Sequence, residues 1–202
     1  MQPRERLIFP LDVPHKSAAE RLIALLKDHV GLFKVGLELF VAEGPAFLQF
    51  LTATARVEYF LDLKFHDIPA TVRGALARIQ AGARLATVHV DTGRESLQLS
   101  PEARESGVKL LGVTVLTHLK PDDLEAMGLA REYARDLTKL VLLRAGMARA
   151  AIIQDAIAFG PCSIQRGHEE TIVTRAGQQE GGARATVQHI VAGAAGAGTV
   201  AS

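Results

Sequence analysis

Asp62 and Lys64 are the residues whose types and spacing most directly suggest chemistry. In Phe60-Leu61-Asp62-Leu63-Lys64-Phe65, strand alternation puts Phe60, Asp62 and Lys64 on one face and Leu61, Leu63 and Phe65 on the other. A carboxylate and an ammonium sharing a face can do electrostatic work on a charged ligand. Both ions lose hydration if they point inward, a penalty their mutual attraction does not easily offset, so such a pair is a poor purely structural device. The competing reading is an exposed ion pair at a strand end.

Three more strand ends carry polar groups: Asp12 after Leu11, Lys34 in Phe33-Lys34-Val35-Gly36, and His89 in Thr87-Val88-His89-Val90. A lone histidine at a strand end reads as a hydrogen-bonded core residue, and His89 is read that way. Two Asp–Lys combinations at one end of a barrel would define a pocket suited to an anionic, sugar-phosphate-like ligand.

The elements that must position these groups are visible as short apolar runs at residues 7–11, 32–35, 59–63, 85–90 and 110–116. Each is followed by a segment with helical spacing, which is the alternation of βα units. The recurrence of roughly 25 residues is close to one unit of a barrel. Ser17-Ala-Ala-Glu20 has capping-box spacing, Gly31 suits a helix stop, and Pro45, Pro69 and Pro121 suit the first turns of later helices. The expected fold is therefore α/β, one domain over residues 1–202 built from βα units at the spacing of a TIM barrel.

Beyond Ala151 the pattern weakens. Residues 156–159 and 171–174 suit strands six and seven, while 193–202 are mostly Gly and Ala. Three more units need roughly 75 residues and about 50 remain, so the last third is abbreviated or incompletely recorded. Near-balanced charge, net +1, argues against a nucleic-acid footprint, and no segment is long and apolar enough to span a bilayer. The lone Cys162 excludes an internal disulfide framework and reads as a small buried side chain. The N-terminus, broken by Pro10 and Asp12, is unlike a signal peptide, and the expected location is cytoplasmic.

The segment Phe60-Leu-Asp-Leu-Lys-Phe-His-Asp-Ile-Pro-Ala-Thr71 resembles the signature of orotidine 5'-monophosphate decarboxylases. Leu11-Asp12, Phe33-Lys-Val-Gly-Leu-Glu-Leu-Phe40 with Glu43-Gly-Pro45, Val88-His89 and Val113-Thr-Val-Leu-Thr117 follow in family order and spacing. The resemblance implies a (β/α)8 barrel that converts orotidine 5'-monophosphate to uridine 5'-monophosphate without metal or organic cofactor. By that resemblance Lys64 is the proton donor to the carbon that loses its carboxylate, and Asp62 holds Lys64 charged and in place. Asp67 completes the charged array, and Asp67 and Thr71 reach the neighbouring subunit's site, which implies a homodimer. Asp12 and Lys34 match residues that engage the ribose and the charged network, and Thr117 a position near the pyrimidine.

The later part departs from the family pattern. His118 stands where Ser is common, Arg175 alone represents a Pro-Gly-Ile-Arg run, and Gly182 stands where a phosphate-binding Gln is expected. Arg184-Ala-Thr186 echoes the end of the phosphate lid, and Arg175 is the expected surviving phosphate ligand. Two other readings stay open. One is a magnesium-dependent relative, a 3-keto-L-gulonate 6-phosphate decarboxylase or hexulose phosphate synthase. The other is a non-catalytic nucleotide-binding relative without the lid.

Overall fold

The structure, a computed structural model, describes residues 3–79, 82–97, 107–151, 157–159 and 188–189. Strands β1 (Leu7–Pro10), β2 (Leu32–Gly36), β3 (Tyr59–Phe65), β4 (Ala83–His89), β5 (Lys109–Val113) and β6 (Ile157–Phe159) stand side by side in chain order. Every neighbouring pair among them is parallel. Consecutive parallel strands with helical connections are the repeating unit of the (β/α)8 barrel, and the fold is of that α/β class. A two-residue strand, β7 (Gln188–His189), adds antiparallel to the outer edge of β1. The strand expected at 171–174 lies outside the described residues, as do Cys162, Arg175, Gly182 and Arg184.

The helices are α1 (Lys16–Leu26), α2 (Leu37–Glu43), α3 (Pro45–Gln49), α4 (Pro69–Leu76), α5 (Pro121–Ala126), α6 (Arg131–Ala134) and α7 (Leu137–Ala151). Pro45, Pro69 and Pro121 each open a helix, where a missing N–H leaves nothing unsatisfied. Two expectations need correction. Ser17 is not the cap of α1: the cap is His15, two residues earlier, whose ring accepts the Ala18 amide at 3.3 Å. Gly31 is not the stop of α1, which ends at Leu26. Its Cα passes the backbone of Glu5 so closely that a Cβ would sit 2.8 Å from the Glu5 Cα, so close approach is what requires glycine.

Alternation along the strands sorts the core into two faces. Phe33, Val35, Tyr59, Leu61, Ala86, Val88 and Leu110 pack with helix residues such as Ile23, Leu39, Val72 and Leu76. On the opposite face Ile8, Phe60 and Leu111 are buried together, with Leu32 and Leu85 packed against them. One residue from each of five strands thus forms an apolar floor. Two residues further along β2, β3 and β4 come Lys34, Asp62 and Thr87, which therefore stand directly above it.

Candidate active site

The polar layer above that floor is a chain of alternating charges. Lys34 Nζ lies 2.9 Å from Asp12 Oδ1 and 3.6 Å from Asp62 Oδ2, and Lys64 Nζ donates to Asp62 Oδ1 at 2.9 Å. The order Asp12, Lys34, Asp62, Lys64 is neutral in sum, which lets ions stand at the rim of an apolar core. The two inner members are the hidden ones: the side chains of Lys34 and Asp62 are 10% and 14% exposed, against 62% for Asp12 and 42% for Lys64. Lys64 is thus the cation offered to a ligand, held from behind by an anion that is itself fixed.

These groups line a cleft of about 420 Å³ together with Leu11, Leu37 and Leu63. That volume is in the range of small-molecule sites. Gly36 keeps it open, since a Cβ there would lie 3.3 Å from both Asp12 Oδ1 and Lys34 Nζ. Glu38, in the first turn of α2, adds a carboxylate at the mouth.

Placement of Lys64 depends on an irregularity that simple alternation does not contain. Leu61 pairs with Ala86 and Phe65 with Val88, so three residues of β3 face one residue of β4. Within this bulge Lys64 has φ +52°, a conformation that costs a non-glycine residue about 1 kcal/mol or more. Bulges of this kind re-aim side chains next to sites. Asp62 and Lys64 meet as an ion pair, but through the bulge and not through simple alternation.

Thr87 holds the bulge together and was not legible as a site residue. Its side-chain oxygen accepts the Lys64 amide at 2.8 Å, and its hydroxyl donates to Asp62 Oδ1 at 3.1 Å. Thr87 is buried, so both bonds are sheltered from water. Thr87→Val keeps the shape and deletes both. It should lower stability in urea unfolding by about 1–2 kcal/mol, with clearly less loss for Thr87→Ser. Equal losses for the two variants would trace the effect to the methyl group and not to the hydroxyl.

The remaining expected site residues fall elsewhere. Asp67 is exposed beyond the end of β3, and its carboxylate accepts the Ile68 amide at 2.6 Å, so within one chain it does not join the Asp12-to-Lys64 array. Thr71 is exposed on α4, and Thr117 is exposed in the turn after β5 and does not line the cleft. His89 belongs to a separate cluster. His66 Nε2 and His89 Nδ1 lie 3.4 and 3.6 Å from Asp91 Oδ1, and Arg144 Nη2 lies 3.1 Å from Asp91 Oδ2. The His89 imidazole and then the Arg144 guanidinium hold the Asp91 carboxyl below the usual carboxylate range, against the opposing effect of burial. Among the described residues no group of three or more His, Cys, Asp or Glu side chains is arranged to hold a metal ion.

The family model "Orotidine 5'-phosphate decarboxylase / HUMPS family" matches residues 5–160, a span containing Asp12, Lys34, Asp62, Lys64 and Asp67. The chain is 43% identical over 148 residues to the orotidine 5'-phosphate decarboxylase of Desulfosudis oleivorans, covering 72% of this chain and 59% of that one. It is 36% identical over 189 residues to that of Moorella thermoacetica, covering 86% and 73%. The chain therefore spans about three fifths of the length of the Desulfosudis relative. The crystal structure of orotidine 5'-phosphate decarboxylase from Lactobacillus acidophilus superposes with a TM-score of 0.62 at 28% identity, over 76% of this chain and 79% of that one. A conserved protein from Geobacillus kaustophilus superposes at 0.65 with 31% identity, over 75% and 73%.

Proposed function

The chain belongs to the orotidine 5'-phosphate decarboxylase / HUMPS family, and we propose that it decarboxylates orotidine 5'-monophosphate to uridine 5'-monophosphate in pyrimidine nucleotide synthesis. The observation that carries this reading is the Asp12, Lys34, Asp62, Lys64 chain, with its outermost ammonium facing a cleft. In the reaction the bond from the pyrimidine ring to the carboxylate breaks, carbon dioxide leaves, and the electron pair stays on the ring carbon. Lys64 stabilises that charge and transfers a proton from Nζ to the carbon, and the amine is reprotonated from solvent. Asp62, bonded to Lys64 and Thr87 and facing Lys34, cannot turn away and holds the ammonium on target.

Asp12 and Lys34 engage the ribose side of the ligand and Arg175 binds the phosphate, while the place of Thr117 near the base rests on the family resemblance alone, since it lies outside the cleft. Asp67 and Thr71, exposed on their own subunit, complete the partner's site in a homodimer. Among the described residues no helix is long and apolar enough to cross a membrane.

The metal-dependent branch of the family is separated by one assay. After exhaustive chelation the protein should still consume orotidine 5'-monophosphate, followed by its absorbance, and with magnesium supplied it should leave 3-keto-L-gulonate 6-phosphate untouched. Loss of all turnover on chelation, restored by magnesium, would move the protein to the sugar-phosphate branch.

A further inference from the structure

The cluster around Asp91 lies outside the Asp12-to-Lys64 chain and has no part in the reaction as described. It ties four places together through one carboxylate. His66 follows the last residue of β3, His89 ends β4, Asp91 lies in the 3-10 turn after β4, and Arg144 comes from α7. The guanidinium also donates to the backbone carbonyl of Thr114, just beyond β5. The two imidazoles lie against each other in a tilted arrangement, with centroids 4.8 Å apart and an interplanar angle of 38°. Arg144 and His89 are largely hidden, with side chains 15% and 13% exposed, so these contacts are less screened than surface ion pairs. Arg144 balances the Asp91 charge, and both imidazoles lie against the same carboxylate oxygen, at 3.4 and 3.6 Å. The cluster is therefore an Arg–Asp pair on which two rings rest.

The position of His66 gives the cluster its meaning. Between Phe65, the last residue of β3, and Pro69, the first of α4, lie only His66, Asp67 and Ile68. Pro69 fixes its own φ, and Ile68 is exposed at 67%. Asp67 turns its carboxylate onto the next amide of the same turn. His66, its side chain half-exposed, joins this turn to the end of β4 and to Asp91, and only through Asp91 to Arg144 of α7.

We propose that Asp91, clamped by Arg144, is a positioning residue: through His66 it fixes the three-residue turn that presents Asp67. The proposal rests on the reading of Asp67 as a site residue of the decarboxylation. Misplacing a catalytic group by about an ångström is enough to cost a large factor in rate. Loosening the brace should therefore act on kcat more than on KM, and only while Asp67 is present.

The test compares Asp91→Asn in two backgrounds, wild type and Asp67→Ala, using orotidine 5'-monophosphate as substrate at high enzyme concentration. In the wild-type background Asp91→Asn is expected to lower kcat about tenfold with KM within about twofold. In Asp67→Ala it should lower kcat no further, because the group it positions is gone. Amide exchange at residues 66–68 should speed up in Asp91→Asn, a readout that needs no turnover. If Asp91→Asn does not fold, Arg144→Lys carries the same comparison, since it keeps the charge and loses the forked geometry. An equal fall of kcat in both backgrounds, or unchanged exchange at 66–68, overturns the brace while leaving the decarboxylase reading intact. Full activity of Asp67→Ala, or an inactive wild type, overturns the reading beneath it and the brace with it.

Discussion

Lys64→Ala is expected to lower kcat by at least about 10³-fold while a non-reacting nucleotide analogue still binds with nearly wild-type affinity. The separation follows from the geometry. The Lys64 ammonium acts on charge that exists only once carbon dioxide is leaving, so its loss is felt in the transition state more than in the complex. Folding should survive, because Asp62 keeps its contacts with Lys34 and the Thr87 hydroxyl after Lys64 is truncated. Lys64→Gly provides a control peculiar to this structure. At φ +52° glycine is relieved of the strain an alanine still bears. Lys64→Gly should be about 1 kcal/mol more stable than Lys64→Ala in urea and equally inactive. Calorimetry with the analogue and turnover by orotidylate absorbance measure the two halves. Turnover within a few-fold of wild type in either variant would remove Lys64 from the chemistry.

The second large effect concerns Asp67. Its carboxylate is exposed and turned onto its own Ile68 amide, away from the array of its own chain. If it completes the neighbour's site, Lys64→Ala and Asp67→Ala homodimers should both be nearly inactive, and mixed dimers should recover activity. A mixed dimer has one doubly damaged site and one site with both Lys64 and Asp67 intact, because a two-fold axis exchanges the contributions. With free exchange and unbiased pairing, about half the dimers are mixed and about a quarter of all sites are restored. Co-expression or reversible dissociation must produce the mixture, since stable homodimers stirred together would not exchange. Verified heterodimers as inactive as either parent would place Asp67 outside the shared site.

What could be read in advance divides along a physical line. Features encoded in local spacing were legible. The five apolar runs lie in strands β1 to β5, residues 156–159 anticipated β6, and Pro45, Pro69 and Pro121 each mark a helix start. The strand run ending at 116 proved shorter, because β5 ends at Val113. Asp12, Lys34 and Asp62 converge as expected, since positions at the same end of neighbouring parallel strands meet, and Lys64 joins them through the bulge in β3.

Features that arise between elements were hidden. The bulge at Lys64 carries no glycine to announce it, and the role of Thr87 exists only through that register shift. The Asp91–Arg144 pair joins a turn after β4 to a helix that arrives much later in the chain, a contact no periodicity predicts. His89 was read as a hydrogen-bonded core residue, and it is largely buried beside Asp91, with the His66 ring tilted against it as a partner the strand pattern could not supply.

The central claim, that the charged chain ending in Lys64 performs a decarboxylation on a nucleotide, is tested most directly by releasing carbon dioxide from carboxyl-labelled orotidine 5'-monophosphate. The chelated wild-type protein should release labelled carbon dioxide and form uridine 5'-monophosphate in equal amounts, with Lys64→Ala at the uncatalysed background. Absence of labelled carbon dioxide from a folded wild-type protein that binds the nucleotide, or release undiminished in Lys64→Ala, would contradict it.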